Sequence, residues 1–202
     1  MWSVVVYPAV AHWVFSPNGW LFKLGALDFA GGAVVHINAG AAALALVLIL
    51  GPRTGWPREP MPPHNLPFTM LGTGILWFGW FRFNAGSALA ADGLAAQALM
   101  NTHLAAAAAM LGWLVVEKRF AGHATTLGAA SRRSPDSSPS RRAPVRGRDL
   151  PIIIGFAAGV VCFIALRLKV RFGFDDSLDV IAVHLVGGIL GGCSSVASPT
   201  PA

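Results

Sequence analysis

From Phe29 to Leu50 the chain runs without a single acidic or basic side chain other than one histidine (FAGGAVVHINAGAAALALVLIL). About 20 apolar residues suffice for a helix to cross a bilayer. In hydrocarbon an isolated segment can satisfy its own backbone only as a helix. This stretch therefore restricts the chain to helical membrane architectures. The exception is His36, with Asp28 at the mouth of the stretch. An ionisable ring at that depth is costly, which points to a functional role with a partner elsewhere. The late apolar run VIAVHLVGGILGG offers that partner, His184.

The rest of the chain has the same character. It is 54% hydrophobic and 12% charged, against about 25% charged in soluble domains, and its mean hydropathy is +0.59. The expected class is an all-α membrane protein, a multi-span helical bundle in a lipid bilayer. Apolar segments are expected at Met1–Phe15, Phe29–Leu50, Phe68–Ala91, Leu94–Val116 and Pro151–Leu166, with a last one from about Asp179 to Gly192. Pro17, Asn18 and Gly19 mark a turn after the first, and a proline-rich loop covers Gly51 to Pro67. The alanines of the fourth suit close helix packing. Met1-Trp2-Ser3 lacks the basic start of a signal peptide and enters an apolar span at once, so the chain is expected to begin inside a longer bundle. Cys162 and Cys193 have no metal-ligand spacing and imply no disulfide framework.

The formal charge of +6 does not indicate nucleic acid, because six arginines and two aspartates between Ser131 and Leu150 carry +4 of it. The remaining basic residues flank apolar segments, as orientation signals do. Arg53 and Arg58, Lys118 and Arg119, and Arg167, Lys169 and Arg171 would lie in the cytoplasm, and the connection at Asp92 outside. The first three complete crossings then alternate correctly. The segment ending at Arg167 does not, because it must start outside after the chain was left inside at Lys118. One crossing is missing between Gly122 and Leu150. Read as it stands, residues 131–150 form a Ser/Pro/Arg-rich disordered linker. RRSPDSSPSRR can, however, be encoded so that a frame displaced by two bases reads Ala-Leu-Ala-Gly-Leu-Val-Ala-Ile-Thr-Pro, a membrane-helix sequence. The tail 193–202 behaves in the same way with a suitable codon choice. The expected organisation is a membrane region over 1–130, an aberrant stretch over 131–150, a second membrane region over 151–192 and an aberrant tail over 193–202.

His36 and His184 share the pattern V-H-x-x-x-G on spans of opposite direction, as in an inverted repeat with its site near the midplane. Two neutral imidazoles can donate and accept, so a bonded pair could pass a proton or a small polar solute. Two unrelated histidines bonded to backbone, or a bis-histidine haem site, are the other readings of the same residues. In the third span Trp77, Phe78, Trp80, Phe81 and Phe83 precede Asn84-Ala85-Gly86-Ser87. Such density usually means packing or an interfacial belt, although aromatic faces beside a hydroxyl can also hold a small cation.

The runs GALDFAGGAVVHINAG, PHNLPFTMLGTGILWFGWFRFNAGSALAADG and FDDSLDVIAVHLVGG, in this order, resemble the ammonium transporter (Amt/Mep/Rhesus) family. The resemblance implies part of an eleven-helix inverted-repeat transporter, from within the fourth helix to within the tenth, with the eighth at the missing crossing. It implies a homotrimer in the full-length protein, a bacterial plasma-membrane location, ammonium or ammonia as substrate, and neither cofactor nor enzymatic activity. His36 and His184 look like the twin histidines of the pore, and Ser87 like the hydroxyl of the outer recruitment site. Trp80 and Phe83 match positions near the gate, Asp28 the acidic residue beneath the recruitment site, and Phe15 roughly a recruiting tryptophan. Arg82 departs from the pattern, standing where the family usually has glycine. A chain lacking the other helices is expected to be a non-transporting fragment unless they are supplied.

Overall fold

The computed structural model describes residues 1–59, 61–131 and 149–196, and among them the regular structure is entirely helical. The elements are α1 (Trp2–Phe15), α2 (Trp20–Lys23), α3 (Asn38–Leu50), α4 (Leu66–Gly86), α5 (Gly93–Ala121), α6 (Thr126–Ser131), α7 (Asp149–Arg171) and α8 (Gly187–Val196). Two π-helical turns, Gly32–Ile37 and Ile181–Val186, lead without a break into α3 and α8. Gly32–Leu50, Gly93–Ala121 and Pro151–Arg171 are long and apolar enough to cross a membrane, while Ile181–Cys193 is a shorter apolar helix. The expected third span is helical over 21 residues but is not among those three, since Arg82, Asn84 and its glycines dilute its apolar character.

Helix ends explain where the expected boundaries shift. Asn65 caps α4, its side-chain oxygen accepting from the Phe68 N–H at 2.9 Å. That helix stops at Gly86 rather than Ala91, because the Ser87 hydroxyl donates back to the Phe83 carbonyl and Leu89 turns left-handed at φ 56°. Asp92 caps α5 through the Ala95 N–H at 3.0 Å, and Gly122, at φ 81°, closes it. α5 therefore carries past Val116 to Ala121. Glu117 is buried, accepting from the Thr125 N–H at 3.1 Å and its hydroxyl at 2.7 Å. The basic cluster at Arg167–Arg171 likewise belongs to α7 and not to a loop.

The main packed layer is α5 against α7. A Cβ on Gly155 would overlap the backbone of Ala105, one on Gly159 the backbone of Ala109, and one on Gly112 the backbone of Phe156. This is small-residue packing, with the helices close enough for backbone to touch backbone. Further along, Trp113 meets Phe163 edge-on at 4.7 Å, and the Arg167 guanidinium lies 5.4 Å from the Phe120 ring centroid. Partners advance together along both sequences, so the two helices run parallel. Of the aberrant stretch expected over 131–150, residues 132–148 lie outside the described residues, as do 197–202 of the tail expected over 193–202.

The basic clusters fall at one end of the bundle. Parallel packing puts Lys118 and Arg119 beside Arg167. The loop after α3 joins the loop after α7, where Arg53 holds Asp175 in a two-pronged ion pair: Nε donates at 2.8 Å, Nη2 at 2.6 Å and the backbone N–H at 2.7 Å.

Candidate functional site

Each histidine sits inside a π-helical turn, His36 in Gly32–Ile37 and His184 in Ile181–Val186. Such turns are rare and occur often at functional sites. The two rings meet with Nδ1 atoms 2.8 Å apart. Their planes differ by 3° and their centroids are 5.0 Å apart. That centroid separation exceeds the N–N distance by only the two ring radii, so the imidazoles lie edge to edge in a common plane. One Nδ1 must carry a hydrogen and the other a lone pair, which makes the two tautomers complementary. A metal between the two nitrogens would hold them about 4 Å apart, given bonds of about 2.0–2.1 Å. The observed distance leaves no room for one, and the haem reading does not fit this pair.

The V-H-x-x-x-G pattern has a geometric reason. A Cβ on Gly40 would lie 2.5 Å from the Leu185 Cβ, and one on Gly188 would lie 2.9 Å from Ile37 Cγ1. Each glycine thus packs on the residue that follows the other histidine. The contacts run in opposite directions along the two segments, which is an antiparallel crossing about a local twofold axis. The absence of a side chain at both positions lets the rings come within hydrogen-bond reach.

Asp28 organises the start of the first half. Its Oδ1 accepts from the Gly31 and Gly32 N–H groups at 2.8 and 2.7 Å, and its Oδ2 from Ala33 and Val34, both at 2.9 Å. These are the N–H groups that a helix start leaves without partners. The carboxylate is thus committed to backbone, and its charge faces the positive end of the segment. The sequence reading missed its counterpart. Asp176 Oδ2 accepts from the Ile181 N–H at 2.7 Å, and Asp176 precedes His184 by the same eight residues that separate Asp28 from His36. An aspartate at matched spacing before each V-H-x-x-x-G was the available signal.

Of the other expected residues, Trp80 reaches the pair, its ring 6.2 Å from His36 and inclined by 20°. Phe83 and Ser87 lie further along α4, towards its outer end. They line an open concavity of about 440 Å³ together with Gly79, Arg82, Gly86 and Leu89. Asn84, on the buried side, donates to the Thr102 hydroxyl at 3.0 Å and fixes α4 on α5. Phe15 is exposed at the end of α1. The structure therefore joins His36, His184 and Trp80 in one cluster, with Asp28 capping the turn that carries His36 and Phe83 and Ser87 lining the concavity beyond Trp80.

The profile of the Ammonium Transporter Family matches residues 1–132 and 150–198. An ammonium transporter of Mycobacterium tuberculosis is 51% identical over 95% of this chain and 42% of its own length. One from Bacillus subtilis is 46% identical over 96% of this chain and 48% of its own. The crystal structure of Saccharomyces cerevisiae Mep2 superposes with a TM-score of 0.86 at 37% identity, covering 96% of this chain and 44% of that one. The present chain thus spans less than half the length of these relatives. Within that half the match runs through both histidine segments and the helices that pack around them: the chain belongs to the ammonium transporter family.

Proposed function

We propose that this chain forms the twin-histidine part of an ammonium transport path across a membrane. The observation that carries the reading is the coplanar Nδ1–Nδ1 contact of 2.8 Å between His36 and His184. The pair sits at the crossing of two antiparallel segments beneath Trp80. Ammonium would be captured at the outer approach by the Phe83 face and the Ser87 hydroxyl, through cation–π attraction and hydrogen bonding. An ion entering apolar surroundings loses hydration, which favours release of its proton before passage. Ammonia then moves along the imidazole edges, which offer it one donor and one acceptor. The released proton can be taken by the unprotonated Nε2 of the ring whose Nδ1 is the donor, because the Nδ1–Nδ1 contact then keeps its one shared hydrogen, whereas a proton on the acceptor Nδ1 would set two N–H groups against each other. How the proton leaves is a separate matter, open to measurement.

The reading implies a homotrimer with one pore per subunit, sited in a bacterial plasma membrane. It also requires helices that complete the bundle. Ammonium-limited growth of a transport-deficient strain expressing this chain tests it, with His36→Ala as the paired variant. Rescue abolished by His36→Ala is the expected result for a conducting assembly. No rescue by a chain that is present in the membrane means a non-transporting piece of a transporter. The parallel α5–α7 pair favours a further proposal, that residues 131–150 and 193–202 derive from out-of-frame reading of two membrane-helix segments. Nucleotide sequence that cannot be reframed into apolar runs there would sink it.

A further inference from the structure

Each histidine-bearing turn hangs on a left-handed residue five positions before its histidine, Gly31 in the first segment and Asp179 in the second. The two positions do the same backbone work. Gly31, at φ 97°, accepts with its carbonyl from the Val35 and His36 N–H groups at 2.8 and 3.1 Å. Asp179, at φ 58°, accepts from the Val183 N–H at 2.9 Å. Glycine enters this region at no steric cost, and an aspartate there is uncommon. The carboxylate at 179 makes a contact that glycine could not. It pairs with Lys169 in the last turn of α7. The same ammonium group donates to the Asp176 carbonyl at 2.8 Å, and that carbonyl also accepts from the Asp179 N–H at 3.3 Å. The two side chains of the ion pair are only 18% and 24% exposed, so water screens them less than it does a surface pair.

We propose that Lys169 is a positioning residue for the histidine pair: by holding Asp179 and the Asp176 carbonyl together it fixes the turn Ile181–Val186 and keeps His184 Nδ1 within reach of His36. This rests on the twin-histidine reading of the site. Lys169 acts on the pair through Asp179, whose carbonyl takes the N–H of the residue before His184. Two attachments to one ammonium group, on residues three apart, resist rotation of the segment start as well as its displacement. Rotation matters because a hydrogen bond weakens steeply once donor and acceptor lose alignment. The first segment has no need of such a cation, since Asp28 holds four N–H groups there. In the second, Asp176 holds the single Ile181 N–H, and the lysine supplies the rest.

The whole chain in detergent micelles, with nitrogen-15 in its histidines, tests this. The readout is the nitrogen–nitrogen coupling across the Nδ1–Nδ1 hydrogen bond, and circular dichroism on heating reports the fold. Lys169→Met is expected to abolish the coupling, and Lys169→Arg, which keeps a cation of similar reach, to restore it. Asp179→Gly should also lose the coupling while unfolding close to the parent's temperature, because glycine suits the left-handed backbone. Arg171→Gln, two residues further along α7, should leave the coupling unchanged. Coupling kept in Asp179→Gly overturns the proposal, since the aspartate would then be a turn residue only. So does loss in Arg171→Gln, which would trace the effect to net charge at this end of the bundle. Failure of both Lys169→Met and Asp179→Gly to fold would assign the contact to folding rather than positioning, and also overturns it. A parent chain without the coupling would remove the histidine pair itself. No outcome requires transport: a parent that shows the coupling but does not rescue growth counts against conduction by this chain and leaves the positioning test standing.

Discussion

The two histidine segments are built to one plan but anchored differently. In the first, Asp28 takes four backbone N–H groups with its two oxygens, so the turn carrying His36 is fixed by its own carboxylate. In the second, Asp176 takes the single Ile181 N–H. The rest of the support comes from its neighbours. Lys169 donates to the Asp176 carbonyl at 2.8 Å and pairs with Asp179, while Arg53 grips Asp175. One half-site is therefore locally self-sufficient. The other is tied to the loop after α3 and to the end of α7, so the position of His184 depends on those connections. Duplicated geometry need not mean duplicated energetics.

Removing each aspartate should expose that asymmetry most strongly. Asp28→Ala leaves four helix-start N–H groups without their acceptor, at a cost of about 3 kcal/mol or more. Asp176→Ala removes one such bond, at about 1 kcal/mol. Thermal unfolding in detergent, with circular dichroism as the signal, compares the two. Equal losses would mean that the loop contacts do not share the load in the second half.

The glycines sharpen the comparison at the pair itself. At Gly40 an added methyl meets the Leu185 Cβ and backbone nitrogen, both at 2.5 Å, which only backbone movement can relieve. Gly40→Ala should cost about 1–3 kcal/mol and lengthen the Nδ1–Nδ1 contact. At Gly188 the nearest atom is Ile37 Cγ1 at 2.9 Å, part of a side chain that can turn. Gly188→Ala should cost about 1 kcal/mol or less. Nitrogen-15 spectra of labelled histidine report the hydrogen bond directly: it should be lost in the first variant and kept in the second. Loss in both would assign the two glycines equal weight.

Much of this was legible before any coordinates. Uncharged length dictated helices, and the repeated V-H-x-x-x-G placed His36 and His184 on opposed segments, because a motif on two antiparallel helices is visible in a one-dimensional string. The charge pattern also called for one more crossing, over residues that lie outside the described ones. What escaped was chemistry set by local backbone. Nothing in apolar periodicity announces a π turn, and Asp176 hides among Asp175 and Asp179, any of which could cap. The burial of Glu117 was also out of reach, because its partner, Thr125, lies beyond the helix end. Gly122 was the missed clue that α5 ends later than its apolar run. The Arg53–Asp175 bond joins loops 122 residues apart, a separation that no local pattern bridges.

That bond yields the smallest expected effect and the most specific test of the loop-dependent half. Hydrogen bonds from Arg53 hold the Asp175 carboxyl below its ordinary value of 3.8. A carboxylate depressed on folding adds stability above its unfolded value, and that stability is lost as pH falls through the lower, folded value. The difference in unfolding midpoint between the parent chain and Asp175→Asn should therefore be constant from about pH 8 to about pH 5. It should close only in acid below the ordinary carboxylate range. The other carboxylates titrate in both chains, so the difference isolates Asp175. If the second half-site leans on this contact, the histidine hydrogen-bond signal should be weak already in Asp175→Asn at neutral pH. An unchanged signal in Asp175→Asn would show that Asp176 and Lys169 hold the segment by themselves, and the contrast between the halves would then reduce to a difference in capping.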